Sequence, residues 1–250
     1  MIIDFHSHFL PGIDDGSKDT EMSLSMLSQM RASGVDVVIA TSHFYASKES
    51  IEAFLVRRNK AFENLKTAAG VDFSRETEEY PQILLGAEVA FYYGMSATED
   101  LEKLAFGKAG ANEFTVATKS AAGSTLLIEM PFKPWGEFEY NTLSSLIYGR
   151  GFKVILAHYE RYDYMQNKEI AAKILDLPLY VQINAETLLP RLGSRKYINM
   201  FKDGRAHLLG SDSHNLTSRK PNLMEGRQAL LTKIGKERLD AIDLVGEELI

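Results

Sequence analysis

Cysteine is absent from the 250 residues. Its absence excludes disulfides, thiolate zinc sites, iron–sulfur clusters and cysteine nucleophiles. No stretch approaches the roughly 18 consecutive apolar residues that span a bilayer, so no membrane insertion is expected. No basic segment followed by an apolar stretch opens the chain, so no secretory signal is expected and the cytoplasm is the default location. Long basic runs are also missing, and the formal net charge is −6. Both argue against nucleic-acid binding through the phosphate backbone. Low-complexity segments, repeats and linkers are lacking too, so one domain over residues 1–250 is expected.

What is present is ordinary for a globular protein, with 45% hydrophobic and 25% charged residues. Short apolar runs alternate with longer helical patterns. Candidate strands lie at residues 2–5, 37–41, 83–89, 125–130, 153–157, 179–184 and 207–210. Candidate helices cover 20–33, 50–69, 137–148, 167–177 and 196–203, with one or two more from 221 onwards. Met22, Met26, Leu27 and Met30 share a helical face that ends at Gly34; such a stripe faces either the core or a partner, and oligomeric state stays open. Residues 91–124 read least clearly, with a helix near 98–105 and an extra strand near 114–118. The alternation predicts parallel strands joined by crossover helices. Seven of them predict a barrel-like α/β fold, with a doubly wound open sheet as the competitor.

In an α/β barrel the carboxyl ends of the strands share one face, where catalytic groups gather. His6 and His8 follow the first strand, His43 the second, Glu88 ends the third, His158 follows the fifth, and Asp212 and His214 follow the seventh. Singly, each has an ordinary reading as a loop residue, strand end or cap. Jointly, that reading needs one coincidence at five strand ends. His207, at the start of its strand, serves as the control and is assigned to structure or solvent.

In His6-Ser7-His8, alternate side chains of an extended segment point one way, so both imidazoles can reach one ion. Imidazole and carboxylate suit zinc, manganese or iron. One ion needs about three or four protein ligands, so seven candidates predict two or three ions, with Glu88 able to bridge. Asp14 and Asp15, in Pro-Gly-Ile-Asp-Asp-Gly, add a further carboxylate, and spacing does not choose between them. Such sites activate water for hydrolysis, and phosphate esters are a natural substrate. Arg161 and Arg219, close to His158 and His214, can grip phosphate oxygens, whereas Arg191 and Arg195 read as solvated.

Asp4-Phe5-His6-Ser7-His8 with Leu10-Pro11-Gly12-Ile13-Asp14-Asp15-Gly16 resembles the opening motif of the polymerase-and-histidinol-phosphatase (PHP) family. More narrowly, the chain is similar to bacterial manganese-dependent tyrosine-protein phosphatases encoded with capsule and exopolysaccharide genes. Further matches are Ala40-Thr41-Ser42-His43, Leu85-Gly86-Ala87-Glu88, Leu156-Ala157-His158-Tyr159-Glu160-Arg161, Val181-Gln182-Ile183-Asn184-Ala185 and Gly210-Ser211-Asp212-Ser213-His214-Asn215.

The resemblance implies a distorted seven-stranded (β/α) barrel with a trinuclear manganese site. It implies hydrolysis of phosphotyrosine by a metal-activated hydroxide, typically on a tyrosine kinase that controls polysaccharide export. It also implies His6, His8, Asp15, His43, Glu88, His158, Asp212 and His214 as ligands, with Arg161 and Arg219 binding phosphate. Two departures from the family pattern are Tyr159, where proline is usual, and Phe44-Tyr45, where histidine or basic residues are frequent. Competing readings are a small-metabolite phosphatase such as histidinol phosphatase, a TatD-like nuclease or amidohydrolase, and a catalytically silent binding module. Against the second, no histidine follows the sixth strand and Glu129, not lysine, ends the fourth.

Overall fold

Every strand is parallel to its neighbours, as the strand–helix alternation predicts. The computed structural model describes residues 1–107, 123–190 and 193–250. The expected strand at 114–118 and the solvated reading of Arg191 lie outside the described residues. The strands are β1 (Ile3–Ser7), β2 (Val37–Ala40), β3 (His43–Phe44), β4 (Gln82–Leu85), β5 (Glu88–Ala90), β6 (Thr125–Glu129), β7 (Lys153–Leu156), β8 (Tyr180–Asn184) and β9 (Leu208–Gly210). The helices are α1 (Thr20–Ser33), α2 (Ile51–Ala69), α3 (Glu137–Ser144), α4 (Lys168–Leu175), α5 (Ser194–Lys202), α6 (Leu223–Ile234) and α7 (Lys236–Glu247).

Against seven expected strands, nine short ones lie among the described residues: the expected strand 83–89 is broken into β4 and β5, and β3 follows the expected strand 37–41 as a separate pair of residues. β2 pairs with β4, and beyond a break at the same level β3 pairs with β5. At the break, the Gly86 N–H donates to Ala40 O and the Glu88 N–H reaches the carbonyls of Thr41 and Ser42. Gly86 is required there: a Cβ would meet Phe106 Cδ1 at 2.9 Å and Ile39 Cγ2 at 3.3 Å. The sheets run β1-β2-β4 and β3-β5-β6-β7-β8-β9. The two ends of the order are neighbours, since His8 N–H donates to Ser213 O at 2.8 Å and Asp212 N–H to His6 O at 2.7 Å. The result is a curled parallel sheet wrapped by helices.

Strand residues divide by the period of two. Ile3, Phe5, Val37, Ile39, Leu84, Leu127, Ile155 and Leu208 form an inner apolar cluster. Val38, Ala40, Ile83, Leu126, Val154 and Ile183 join the larger cluster, which includes Met26, Leu27 and Met30 of α1 and Phe54 and Leu65 of α2. The methionine stripe is therefore core. Leu249 lies in the inner cluster, and its carbonyl accepts from Thr125 Oγ1 at 2.9 Å.

Helix ends follow local chemistry. Asp19 and Ser50 cap α1 and α2 with their side chains, and Gly34 and Gly70 end them in the left-handed region. Two helical expectations change. The pattern over 137–148 ends as α3 followed by a π-turn at Ser145–Gly149, and 98–105 holds only a 3-10 turn at Leu101–Leu104. No helix among the described residues is long and apolar enough to cross a membrane.

Candidate metal centre

The inner positions at one edge of the curled sheet are polar. His43 opens β3, Glu88 opens β5, Glu129 ends β6, and Gln182 and Asn184 lie on β8. His158 follows β7, and Asp212 and His214 follow β9. His6 reaches this group through an irregularity. Asp4 pairs with Val38, but Ser7 pairs with Ala40, so β1 carries one extra residue. Such a bulge breaks the alternation and re-aims a side chain. Phe5 can therefore join the inner cluster while His6, its neighbour, also turns to Glu88 and Gln182. Asp4 closes the bulge: its Oδ1 accepts the N–H groups of His6 at 3.2 Å and Ser211 at 2.8 Å. Burial pushes the Asp4 carboxyl up to about 6, against those hydrogen bonds.

All eight predicted ligands converge. Glu88 is central: Oε1 lies 2.8 Å from His158 Nε2, and Oε2 lies 2.8 Å from His43 Nδ1, 3.3 Å from His6 Nε2 and 3.4 Å from His8 Nε2. Asp212 Oδ1 is 3.5 Å from His6 Nε2 and 3.6 Å from His8 Nε2. Asp15 Oδ1 is 3.4 Å from His43 Nε2 and 3.5 Å from His214 Nε2. Four overlapping groups have all their ligand atoms within 4.8 Å of one another: His8-Asp15-His43-His214, His6-His8-Asp212, His6-Glu88-His158 and His43-Glu88-Glu129. The sharing of His6, His8, His43 and Glu88 between groups suits adjacent ions better than one.

Asp14 and Asp15, left open by spacing, separate clearly. Asp14 is 5% exposed and turns inward, its Oδ2 accepting from His8 Nδ1 at 2.8 Å and from His43 N–H at 3.0 Å. Asp15 is 64% exposed and faces His43 and His214. Gly16 allows this turn, because a Cβ would lie 2.0 Å from the His8 carbonyl oxygen.

The imidazoles are pre-oriented. His6 Nδ1 faces Gln182 Oε1 at 3.2 Å, His8 Nδ1 faces Asp14, and His214 Nδ1 faces the Asp212 carbonyl at 2.9 Å. An acceptor at Nδ1 places the proton there and leaves the Nε2 lone pair toward the cluster. His43 Nδ1, Glu88 Oε2 and His214 Nε2 are buried with no hydrogen-bond partner among the described residues. Each such atom costs about 1–3 kcal/mol, and a divalent cation satisfies several together. This donor set fits such ions.

The charges support that fit. Burial would raise Glu88, yet the His6 charge, the hydrogen bond from His158 and the close approach of His43 hold it well below the usual carboxylate range. Burial would lower His8, yet Asp14 and Glu88 hold it up at about 10. His214 goes the other way, driven down to about 3 by burial and by the His8 charge. Glu129 is pushed up to about 7 by burial and by Glu88. The crowded carboxylates demand positive charge. That demand holds the His6 and His8 imidazoles toward their charged forms, and divalent cations would meet it in place of protons.

His158 and Asp212 have φ of 30° and 52°. Side chains rarely occupy that region, at a cost of about 1–3 kcal/mol each, and such strain gathers at functional sites. Arg161 and Arg219 both reach Asp212 Oδ2, the latter at 2.7 Å. His207 stays apart, its Nδ1 accepting from Val181 N–H at 3.0 Å.

Residue-by-residue reading passed over the roles of Asp14, Gln182, Asn184 and Glu129. Gln182 Oε1 also accepts from His158 N–H at 2.8 Å, and Asn184 Nδ2 donates to Asp212 Oδ2 at 2.9 Å. The available signal was the two amides alternating in an otherwise apolar strand. Gln182→Leu is expected to weaken divalent-metal binding about 10- to 100-fold while the protein stays folded. Titration of the variant with divalent metal checks this, and unchanged affinity would refute the orienting role.

Comparison with known proteins agrees with this architecture. A tyrosine-protein phosphatase CpsB of Streptococcus agalactiae is 29% identical over 96% of this chain and 94% of its own. A CpsB of Streptococcus pneumoniae is 28% identical over 95% and 93%. A solved structure, from work on YwqE of Bacillus subtilis and CpsB of S. pneumoniae as unique metal-dependent tyrosine phosphatases, superposes with a TM-score of 0.75. It covers 99% of this chain and 94% of its own at 21% identity, which establishes the shared fold. The family model for capsular polysaccharide synthesis proteins CpsB/CapC matches residues 2–247, and the chain belongs to that family.

Proposed function

We propose that this chain is a metal-dependent protein-tyrosine phosphatase. Its substrate is phosphotyrosine on a protein, a bacterial tyrosine kinase of capsule or exopolysaccharide synthesis, met in the cytoplasm. The observation that carries the reading is the meeting of eight imidazole and carboxylate ligands with two arginines at one edge of the sheet. Family membership and the names of the relatives support it. We assign residues 1–250 to one domain of distorted seven-stranded barrel type, counting β2 with β3 and β4 with β5 as single broken strands.

His6, His8, Asp15, His43, Glu88, His158, Asp212 and His214 would hold two or three ions, of manganese in our reading, with zinc and iron sharing the same ligand chemistry. Bound divalent ions supply a water of low pKa and neutralise phosphate oxygens. Asp14 and Gln182 hold the tautomers of His8 and His6. Arg161 and Arg219 offer planar donors to the equatorial phosphate oxygens. A tyrosyl leaving group, with a pKa of about 10, needs less protonation than an alkoxide, so a strong general acid is not required.

The test is turnover of phosphotyrosine peptides, phosphoserine peptides and histidinol phosphate after chelation and reloading. Phosphotyrosine should be the preferred substrate, EDTA should abolish its hydrolysis, and manganese should restore it. Activity surviving both EDTA and His6→Ala would sink the proposal; preference for histidinol phosphate would favour the small-metabolite reading.

A further inference from the structure

Phe132 follows β6 at the rim of the site and is 56% exposed. A lone exposed phenylalanine needs no explanation by itself. This one is held in place by unusual bracing. Pro131 and Pro134 restrict the backbone on both sides of it. The Pro131 carbonyl accepts from Lys133 N–H at 2.8 Å and from Trp135 Nε1 at 3.1 Å. Gln166 ties the loop from outside, accepting from Trp135 N–H at 2.8 Å and donating to Lys133 O at 3.2 Å. Buried Tyr162 accepts from Met130 N–H at 3.1 Å and supports the Phe132 ring from below at 5.0 Å between centroids.

The ring so presented stands next to the candidate ligands. It is near-parallel to the His158 imidazole, at 25° and 6.4 Å between centroids. His158 in turn contacts Glu88, around which the other ligands gather. The geometry is thus an apolar ring, fixed in advance, beside a site for an anion. A phosphate ester whose oxygen carries an aryl group presents a flat face at that position, whereas an alkyl phosphate does not.

We propose that Phe132 is a specificity-determining residue, the wall against which the phenyl ring of the substrate phosphotyrosine stacks. The inference rests on the phosphotyrosine reading of the site and adds how an aryl ester is distinguished from an alkyl one. Because the loop is already braced, stacking orders little further chain, so most of the interaction appears as affinity. Phe132 touches no candidate ligand through a hydrogen bond, and its removal spares the imidazole and carboxylate set.

The test compares the manganese-loaded wild type with Phe132→Ala and Phe132→Tyr. Two quantities are read: KM for a phosphotyrosine peptide, and the inhibition constant of inorganic phosphate, which lacks a ring. Phe132→Ala is expected to raise KM about tenfold, the size of one aromatic stacking interaction, with phosphate inhibition unchanged. Phe132→Tyr should keep KM within about twofold, since its ring stacks equally. An unchanged KM in Phe132→Ala, or a parallel weakening of phosphate inhibition, overturns the stacking role. Absence of phosphotyrosine turnover in the wild type would instead overturn the proposed function itself, and the stacking role with it.

Discussion

Glu88→Gln is expected to lower metal-dependent phosphotyrosine hydrolysis about a thousandfold or more. The carboxylate stands among four imidazoles, with His158 on one oxygen and His43, His6 and His8 on the other. It belongs to two of the four candidate ligand groups. Glutamine keeps the volume but removes the charge and gives one of the two positions a nitrogen with no free lone pair. Ions held there would lose a ligand and a counter-charge together. Metal-ion catalysis supplies several kcal/mol of charge stabilisation, and about 4 kcal/mol corresponds to a thousandfold in rate. Elemental analysis of the dialysed variant provides the second readout, expected to show at least one ion fewer per chain than the wild type. A variant with full metal content and near-normal turnover would remove Glu88 from the centre.

Arg161→Ala should cost about 10²- to 10³-fold in kcat/KM, the range seen when one preorganised donor to a developing charge is lost. Arg161 and Arg219 converge on the same oxygen of Asp212, which also accepts from Asn184. Both side chains are a third or so exposed, at 37% and 33%, so neither arginine is closed off from an incoming phosphate. Lysine in place of either supplies charge without the planar fork, so Arg161→Lys should recover only part of the loss. Metal content separates two roles. If it is unchanged, the loss belongs to phosphate binding. If it falls, the arginine acts by holding Asp212, and the phosphate-gripping role is refuted. Arg219→Ala is expected to behave alike, and the double variant to lose less than the product of the two, because both groups share one partner.

The composition takes on a narrower meaning in this light. A chain without cysteine cannot use a thiolate to attack phosphotyrosine. The formal charge of −6 is that of the metal-free chain, and three divalent cations would offset it. The bare count is thus a poor guide to how an anionic substrate meets the site.

Much of the architecture was legible because its causes are local. The α1 face of Met26, Leu27 and Met30 and the stops at Gly34 and Gly70 each depend on residues within a few positions. The parallel sheet followed from strand–helix alternation, and the histidines at strand ends followed from the barrel rule. Residues 137–148 and 98–105 misled, since an apolar period does not choose between α, π and 3-10 hydrogen bonding.

By itself the sequence determined which chemistry was available: no thiolate, six histidines, and a set of carboxylates placed at strand ends. Tertiary structure decided which of them meet. The extra residue in β1 turns His6 inward, a choice visible only in its register against β2. Asp14 and Asp15 are chemically identical neighbours, separated only because His8 Nδ1 and the His43 backbone N–H lie on one side and the His43 and His214 rings on the other. Glu88 and His158 are 70 positions apart in the chain and 2.8 Å apart in space. Periodicity and caps act over a turn or a strand, whereas convergence depends on register and packing between distant segments, to which no short window of sequence has access.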